Sequence, residues 1–316
     1  MQETTALLAP DETGIARAAA LLARGQLVAF PTETVYGLGA DARDARAVAG
    51  IYAAKGRPAF TPLIVHVEDL ATAEGYAVFS DVTRALAQEF WPGALTLVLP
   101  LREGAGLSRL VSAGLPSVAL RVPAHPVARA LIAAFGGPVA APSANPSGRI
   151  SPTMAAHVMD GLSGRIAAIV DGDATQVGLE STIIGFDDGE PVLLRPGGLP
   201  VEDIARVVGR MPARPEPSAQ PSSPGQLLSH YAPRGTVRLD ASAPRAGEVM
   251  LGFGPVEGAL NLSPSGDLVE AAANLFAMLH ELDEAGVRAI CVAPIPREGL
   301  GLAINDRLTR AAAPRE

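Results

Sequence analysis

The stretch QLVAFPTETVYGLG, residues 26–39, decides how this chain is read. Gln26 to Phe30 is an apolar, β-prone run closed by Pro31, which predicts a strand. Immediately behind it, Thr32, Glu33 and Thr34 place hydroxyls and a carboxylate where the strand ends. In an α/β sheet, the C-terminal end of a strand is where ligands usually bind. Upstream, Asp11 caps a predicted helix through IARAAALLAR that stops at Gly25. Downstream, a helix from about Asp44 to Ala54 runs into Lys55-Gly56-Arg57-Pro58.

The same alternation continues to about Arg210. Strands are predicted at LIVHV, LTLVLPL, SVALRV, VAA, AAIVDG, STIIGF and PVLLR. Helices are predicted near Asp81 to Phe90, Pro126 to Phe135, just after Pro152, and Val201 to Val208. Some neighbouring strands are joined too tightly for crossover helices, so the expected architecture is α/β with a mixed sheet. Residues 211–236 break the pattern; their Pro- and Ser-rich composition reads as a linker, although His230-Tyr231 is more than a passive tether needs. Past it, EVMLGFG and RAICVAP read as strands, DLVEAAANLFAMLHELDEAG as an amphipathic helix, and Ala303 to Ala312 as a last helix. That spacing suits a small βαβ unit. The expected organisation is therefore 1–210, a linker at 211–236, and a second unit at 237–316.

Composition narrows the function. A chain of 316 residues suggests two domains, and with aromatics at 4% the cores must come from Ala, Val, Leu and Ile. No apolar run approaches a membrane span and the N-terminus lacks the features of a signal peptide, so a cytoplasmic protein is expected. Cys291 is the sole cysteine, which excludes an intrachain disulfide and a cysteine-based zinc site, and it reads as a buried strand residue. The five histidines are scattered without metal-ligand spacing. A net charge of −8 argues against a general nucleic-acid-coating surface but leaves room for a local basic pocket. Of the 25 basic residues only Lys55 is a lysine, which hints at a site wanting a compact ammonium rather than a guanidinium fork.

No P-loop, dinucleotide fingerprint or nucleophile elbow is present. Instead, four polar clusters interrupt apolar runs: Pro31 to Gly39; Lys55-Gly56-Arg57-Pro58 with Thr61; Ala141 to Gly148; and Gly178 to Thr182, followed by Arg195-Pro196-Gly197. Lys and Arg one residue apart could hold phosphates, or merely offset a helix C-terminus. Two prolines and a glycine fix the 141–148 loop, whose small donors suit an anion, although an ordinary Asn-Pro turn would look the same.

Taken together, PTETVYGLG, KGRP, LIVHV, SVALRVP, PSANPSG, GLESTI and LRPG, in this order and spacing, resemble the YrdC-like threonylcarbamoyl-AMP synthases. SPGQLLSHYAP resembles the linker of that family's two-domain form, with Gln226 where Met is usual. The resemblance implies a YrdC-like twisted mixed sheet around a concave pocket, followed by a small Rossmann-like α/β domain. It implies a nucleotidyltransferase that makes threonylcarbamoyl-AMP and pyrophosphate from L-threonine, bicarbonate or CO2, and ATP. The adenylate would then pass to an enzyme that transfers the group to tRNA. It assigns Lys55, Arg57, Ser143 and Asn145 to phosphate and carbamate; Arg57, Thr61, Ser117, Ser143, Ser151, Arg195 and Tyr231 to ATP; and Thr34, His66, Arg121, the Ala141 backbone and Ser181 to L-threonine. Mg²⁺ is expected to arrive with ATP, since no carboxylate cluster suggests a protein-built cage. Lys55 is expected to serve phosphate rather than folding, and Ser223 to Pro233 to close over the pocket as a lid. An RNA-binding module of the same fold and a related carbamoyltransferase are the competing readings.

Overall fold

The computed structural model describes residues 4–58, 61–215 and 230–314. In chain order the first part runs β1 (Ala6–Leu8), α1 (Glu12–Ala23), β2 (Val28–Phe30), β3 (Gly37–Asp41), α2 (Ala45–Lys55), β4 (Ile64–His66), α3 (Leu70–Glu74), α4 (Asp81–Phe90) and β5 (Leu95–Pro100). It continues with β6 (Ser117–Arg121), α5 (Pro126–Phe135), β7 (Val139–Ala140), α6 (Ala155–Leu162), β8 (Ala168–Val170), β9 (Thr182–Asp187), β10 (Glu190–Arg195) and α7 (Val201–Val208). The second part holds β11 (Thr236–Arg238), β12 (Val249–Gly252), β13 (Leu260–Asn261), α8 (Leu268–Glu284), β14 (Ala289–Val292) and α9 (Leu300–Ala312).

The helices begin where the sequence can cap them. Asp11, Asp44, Ser80 and Asp267 each accept a hydrogen bond from a first-turn N–H, and α5 carries proline in its first turn. The ten strands of the first part form one mixed sheet in the order β1-β8-β2-β3-β7-β4-β6-β5-β9-β10. β3 was not predicted. GLGAD has little strand propensity, and the segment is made a strand by antiparallel pairing with β2 on one side and β7 on the other. The polar residues 31–36 thus form the tip of a β-hairpin. Gly39 is required there, because a Cβ would lie 2.8 Å from the Phe30 ring and 3.1 Å from Val139.

Helices cover much of the sheet. α2, α4, α6 and α7 contribute to a core with Leu38, Val65, Leu97 and Leu120, while α1 and α5 pack with β1, β2 and β8 around Phe30 and Val170. A small apolar patch of Ile64, Ala119 and Ile183 stands apart from these cores. Alternation along β4 puts Ile64 and His66 on the same face.

The second part is a four-stranded, all-parallel sheet, β11-β14-β12-β13, with α8 and α9 against it. Cys291 is fully buried in β14, its thiol 3.4 Å from the Met250 sulfur. This core does not stop at the second part, for Val35, Ile150 and Leu179 of the first belong to it. Gly178 (φ +70°) marks the contact, since a Cβ would lie 2.5 Å from the Ala272 carbonyl oxygen on α8.

Both ends of the expected linker carry structure. Ala213 exchanges backbone hydrogen bonds with Pro191 and Leu193 beside β10, and Ala232 bridges to Arg149. Of the lid predicted at Ser223 to Pro233, residues 223–229 lie outside the described residues. No described helix is long and apolar enough to cross a membrane.

Candidate active site

One pocket, about 510 Å³ with the space open to solvent counted, is lined by residues of the first part together with His230 and Tyr231. Its floor is built by strand register. Parallel pairing of β4 with β6 sets His66 beside Arg121, and Ala141, just past β7, donates its N–H to the Ile64 carbonyl. The hairpin tip forms one wall, and Thr32 shapes it. Its hydroxyl accepts the N–H groups of Thr34 and Val35 and donates to the Val35 carbonyl at 2.7 Å. Such a side-chain-to-backbone turn holds the Thr34 side chain in place.

Arg121 is buried with most of its fork committed: Nε donates to the Gly93 carbonyl, Nη1 to Thr34 Oγ1 (2.9 Å) and Nη2 to Glu33 Oε1 (2.5 Å). A guanidinium has five N–H groups, so one on each terminal nitrogen remains for a ligand. Glu33 had no assigned role in the sequence reading; it anchors this arginine. Burial would raise its carboxyl pKa, but Arg121's charge and hydrogen bond outweigh burial and hold it below the ordinary value. Burial, reinforced by Arg121, lowers the His66 pKa to about 3, so the imidazole is held neutral.

Another part of the lining is cationic. Arg195 is buried there and Arg57 half-buried, and burial lowers Arg57's pKa to about 10. Arg195 donates to the Ser181 carbonyl at 2.9 Å and the Ser181 hydroxyl at 3.2 Å, joining the ends of β9 and β10. Residues 230–232 complete the wall. The His230 N–H bonds the Arg310 carbonyl on α9, and the Ala232 N–H bonds the Gly148 carbonyl, so the segment is pinned from both parts. Tyr231 between them is 1% exposed and held at φ +62°, a left-handed conformation that disfavours a non-glycine residue. Four buried polar atoms of pocket residues have no hydrogen-bond partner among the described residues: Arg57 Nε, His66 Nδ1, His230 Nδ1 and Tyr231 OH. Buried polar groups are normally paired, so this concentration marks a surface built for a polar ligand.

All five residues assigned to threonine, Thr34, His66, Arg121, Ala141 and Ser181, line this pocket, as do Arg57, Ser143, Arg195 and Tyr231. Others do not. Ser151 is fully buried and donates to Glu180 Oε1, and Thr61 is buried with its hydroxyl unpaired. Ser117 sits at the far end of β6, roughly 13 Å along the strand from Arg121. Lys55 is 3% exposed and its Nζ donates to the backbone carbonyls of Ser143 and Asn145, both at 2.5 Å, with Asn145 Oδ1 at 3.5 Å. Burial, with help from Arg57, pulls its pKa well below the usual lysine range, and the charge of Glu180 opposes that only in part. Lys55 thus fastens the 143–145 loop from behind. Asn145 does the same, donating to the carbonyls of Pro146 and Arg149.

Glu180 and Arg307 form the pair that local sequence reading missed. Glu180 lines the pocket, accepts from Ser151, and pairs through Oε2 with Arg307 Nε at 2.7 Å. Burial would raise its pKa, but Arg307, Arg195 and these hydrogen bonds bring it down to about 2. The signal for Arg307 was faint: an arginine standing in the buried stripe Ala303, Ile304, Leu308, Ala311 of α9. Among the described residues, Glu180 is the carboxylate that lines the pocket, and it is paired with Arg307, as Glu33 behind the pocket is with Arg121. His157, His280 and Glu284 meet elsewhere, between α6 and α8. The two rings stack at 3.8 Å with planes 12° apart, so their in-plane lone pairs run parallel instead of converging on an ion.

Residues 20–197 match the Sua5_yciO_yrdC family, described as "Telomere recombination", and residues 199–313 match "Threonylcarbamoyl-AMP synthase, C-terminal domain". The threonylcarbamoyl-AMP synthase of Bacillus subtilis (strain 168) is 43% identical over 336 residues, covering 99% of this chain and 97% of that one. A protein of the same name from Pyrococcus abyssi is 42% identical over 325 residues, covering 96% and 95%. Among solved structures, P. abyssi Sua5 complexed with L-threonine superposes with a TM-score of 0.90 at 39% identity, covering 98% of this chain and 97% of that chain.

Proposed function

The chain belongs to the threonylcarbamoyl-AMP synthase family, and we propose that the pocket on its first sheet, completed by His230 and Tyr231, binds L-threonine and ATP side by side and joins them through a carbamate. Its activity is the synthesis of threonylcarbamoyl-AMP, which decides among the readings the sequence left open. The observation that carries the arrangement is the division of the pocket: a neutral, hydroxyl-bearing wall around Arg121 and a cationic wall around Arg57 and Arg195.

On the first wall, the remaining N–H groups of Arg121 receive the threonine carboxylate, with Glu33 fixing the guanidinium plane. Thr34, Ser181 and neutral His66 supply short polar contacts for the amino acid's hydroxyl and amine. The neutral amine attacks the carbon of bicarbonate, whose C–O bond breaks to release water, or adds to CO2 with loss of one amine proton to solvent, and either route gives the carbamate. A carbamate oxygen then attacks the α-phosphorus of ATP, the bond to the β-phosphate oxygen breaks, and pyrophosphate leaves. Arg57 and Arg195 offset the charge that grows on phosphate oxygens in this step, and both are held in place by bonds to backbone carbonyls, so little reorganisation is needed. Ser143, on the loop fastened by Lys55 and Asn145, faces the same reacting region. Mg²⁺ would be carried by the nucleotide's phosphates and water. Tyr231 and His230 shield the adenylate, a mixed anhydride, from water until an enzyme that acts on tRNA takes it over.

The test is pyrophosphate release by the purified protein, with mass-spectrometric detection of the adenylate. Release should require ATP, L-threonine and bicarbonate together. Equal release from ATP and threonine in bicarbonate- and CO2-depleted buffer overturns the carbamate order.

A further inference from the structure

Glu180 poses a problem for a nucleotide site. It is an ionised carboxylate in the pocket wall, on the side where Arg195 and Tyr231 stand, and a triphosphate brought beside it would be repelled. Its countercharge comes from the other part of the chain. Arg307, fully buried on α9, donates Nε to Glu180 and Nη1 to the carbonyl of Pro196, the residue after Arg195, at 2.9 Å. The same guanidinium lies 5.1 Å from the centre of the Tyr231 ring, within range of a cation–π contact. A single side chain therefore touches Glu180, the Arg195–Pro196 turn and Tyr231. Glu180, Arg195 and Tyr231 line the pocket, and the last two are the residues assigned to ATP. Among the described residues, Arg307 makes no hydrogen bond or ion pair with Thr34, His66, Arg121 or Ser181; its one link to the threonine residues runs indirectly, through Arg195 to Ser181.

We propose that Arg307 is a positioning residue for the nucleotide: from the C-terminal domain it neutralises Glu180 and holds Tyr231 and the Arg195 turn in the shape that receives ATP. This rests on the nucleotide lying against Arg57, Arg195 and Tyr231, and it gives the second domain a part in the reaction without contact with the substrates. A purely structural arginine would, on removal, weaken the fold and both substrates alike. A positioning residue on one side of the pocket disturbs one substrate.

The experiment is a comparison of Arg307→Lys with the wild-type full chain. Lysine keeps the charge near Glu180 but has no fork to reach the Pro196 carbonyl at the same time. The expected result is an ATP Kd raised tenfold or more by calorimetry, a KM for L-threonine within twofold of wild type, and a kcat affected less than the ATP term. Should Arg307→Lys fail to fold, Arg307→Met is made in a Glu180→Gln background, which leaves no unpaired buried charge, and is compared with Glu180→Gln alone. Additional loss of ATP affinity in that comparison, with threonine binding unchanged, supports the proposal. Wild-type ATP affinity in the folded variant overturns it, and so does an equal loss for ATP and threonine. Direct ATP binding remains readable even if the wild type fails to make the adenylate, so failure of the assigned reaction and failure of this inference are distinguishable.

Discussion

Lys55→Met should cost the fold as well as the reaction. The substitution keeps the aliphatic stem and removes the ammonium, leaving the carbonyls of Ser143 and Asn145 without the donor that now lies 2.5 Å from each. A buried acceptor left unpaired costs about 1–3 kcal/mol. Relief of the buried charge offsets part of that, for a net loss of about 2–4 kcal/mol. In a unit of 150–250 residues each kcal/mol shifts Tm by about 2–4 °C, so a fall of about 4–16 °C is expected. The assay is thermal unfolding followed by circular dichroism, with pyrophosphate release measured well below the variant's Tm. Activity should fall too, because the loop that presents Ser143 is no longer fastened. A Tm within about 1 °C of wild type, with activity lost, would refute this reasoning and return Lys55 to the phosphate role the sequence suggested.

Other outcomes follow from the same geometry. Arg121→Ala should weaken threonine binding far more than ATP binding by calorimetry; the opposite order would mean the two walls have been exchanged. Gly178→Ala, which sets a methyl against the Ala272 carbonyl, should lower Tm and loosen the two parts, read as faster proteolysis between them; an unchanged Tm would contradict the close approach. Stability should fall on acidification below about pH 6.5, because His66 and His230, held near 3 by burial, bind protons more readily unfolded. With both pKa values depressed, each histidine adds a slope of up to about 1.4 kcal/mol per pH unit between the folded and unfolded values. A flat unfolding curve from pH 7 to 5 would show that the rings are not buried neutral. Tyr231→Ala should lower turnover without unfolding the first sheet; wild-type turnover would reduce 230–232 to a tether.

Much of the fold is written in local signals. Ser80, Pro126 and the turn at Pro200 carry their own helix starts, and α4, α5 and α7 lie where these residues put them. β3 is not legible this way, because its strand character comes from neighbours distant in sequence rather than from GLGAD itself. The pocket divides along the same line. The residues on its floor stand at strand ends, so motif and position coincide. The charges that tune them do not: Glu180 finds Arg307 127 residues away, and Lys55 turns from the pocket to carbonyls 88 and 90 residues on. A sequence motif names a side chain but carries no direction for it.

Tyr231 lies before the first strand of the second sheet, yet its ring packs 5.5 Å from Phe276 and shares that sheet's core. The boundary useful for building chimaeras is therefore not at β11. A C-terminal half grafted from a relative should bring its own counterpart of residues 230–232 along with α8 and α9, because the tyrosine's left-handed backbone, its aromatic neighbour and the arginine above it form a single graft. A junction placed between Tyr231 and Thr236 would give two well-made halves with a mismatched seam beside the pocket that Tyr231 lines.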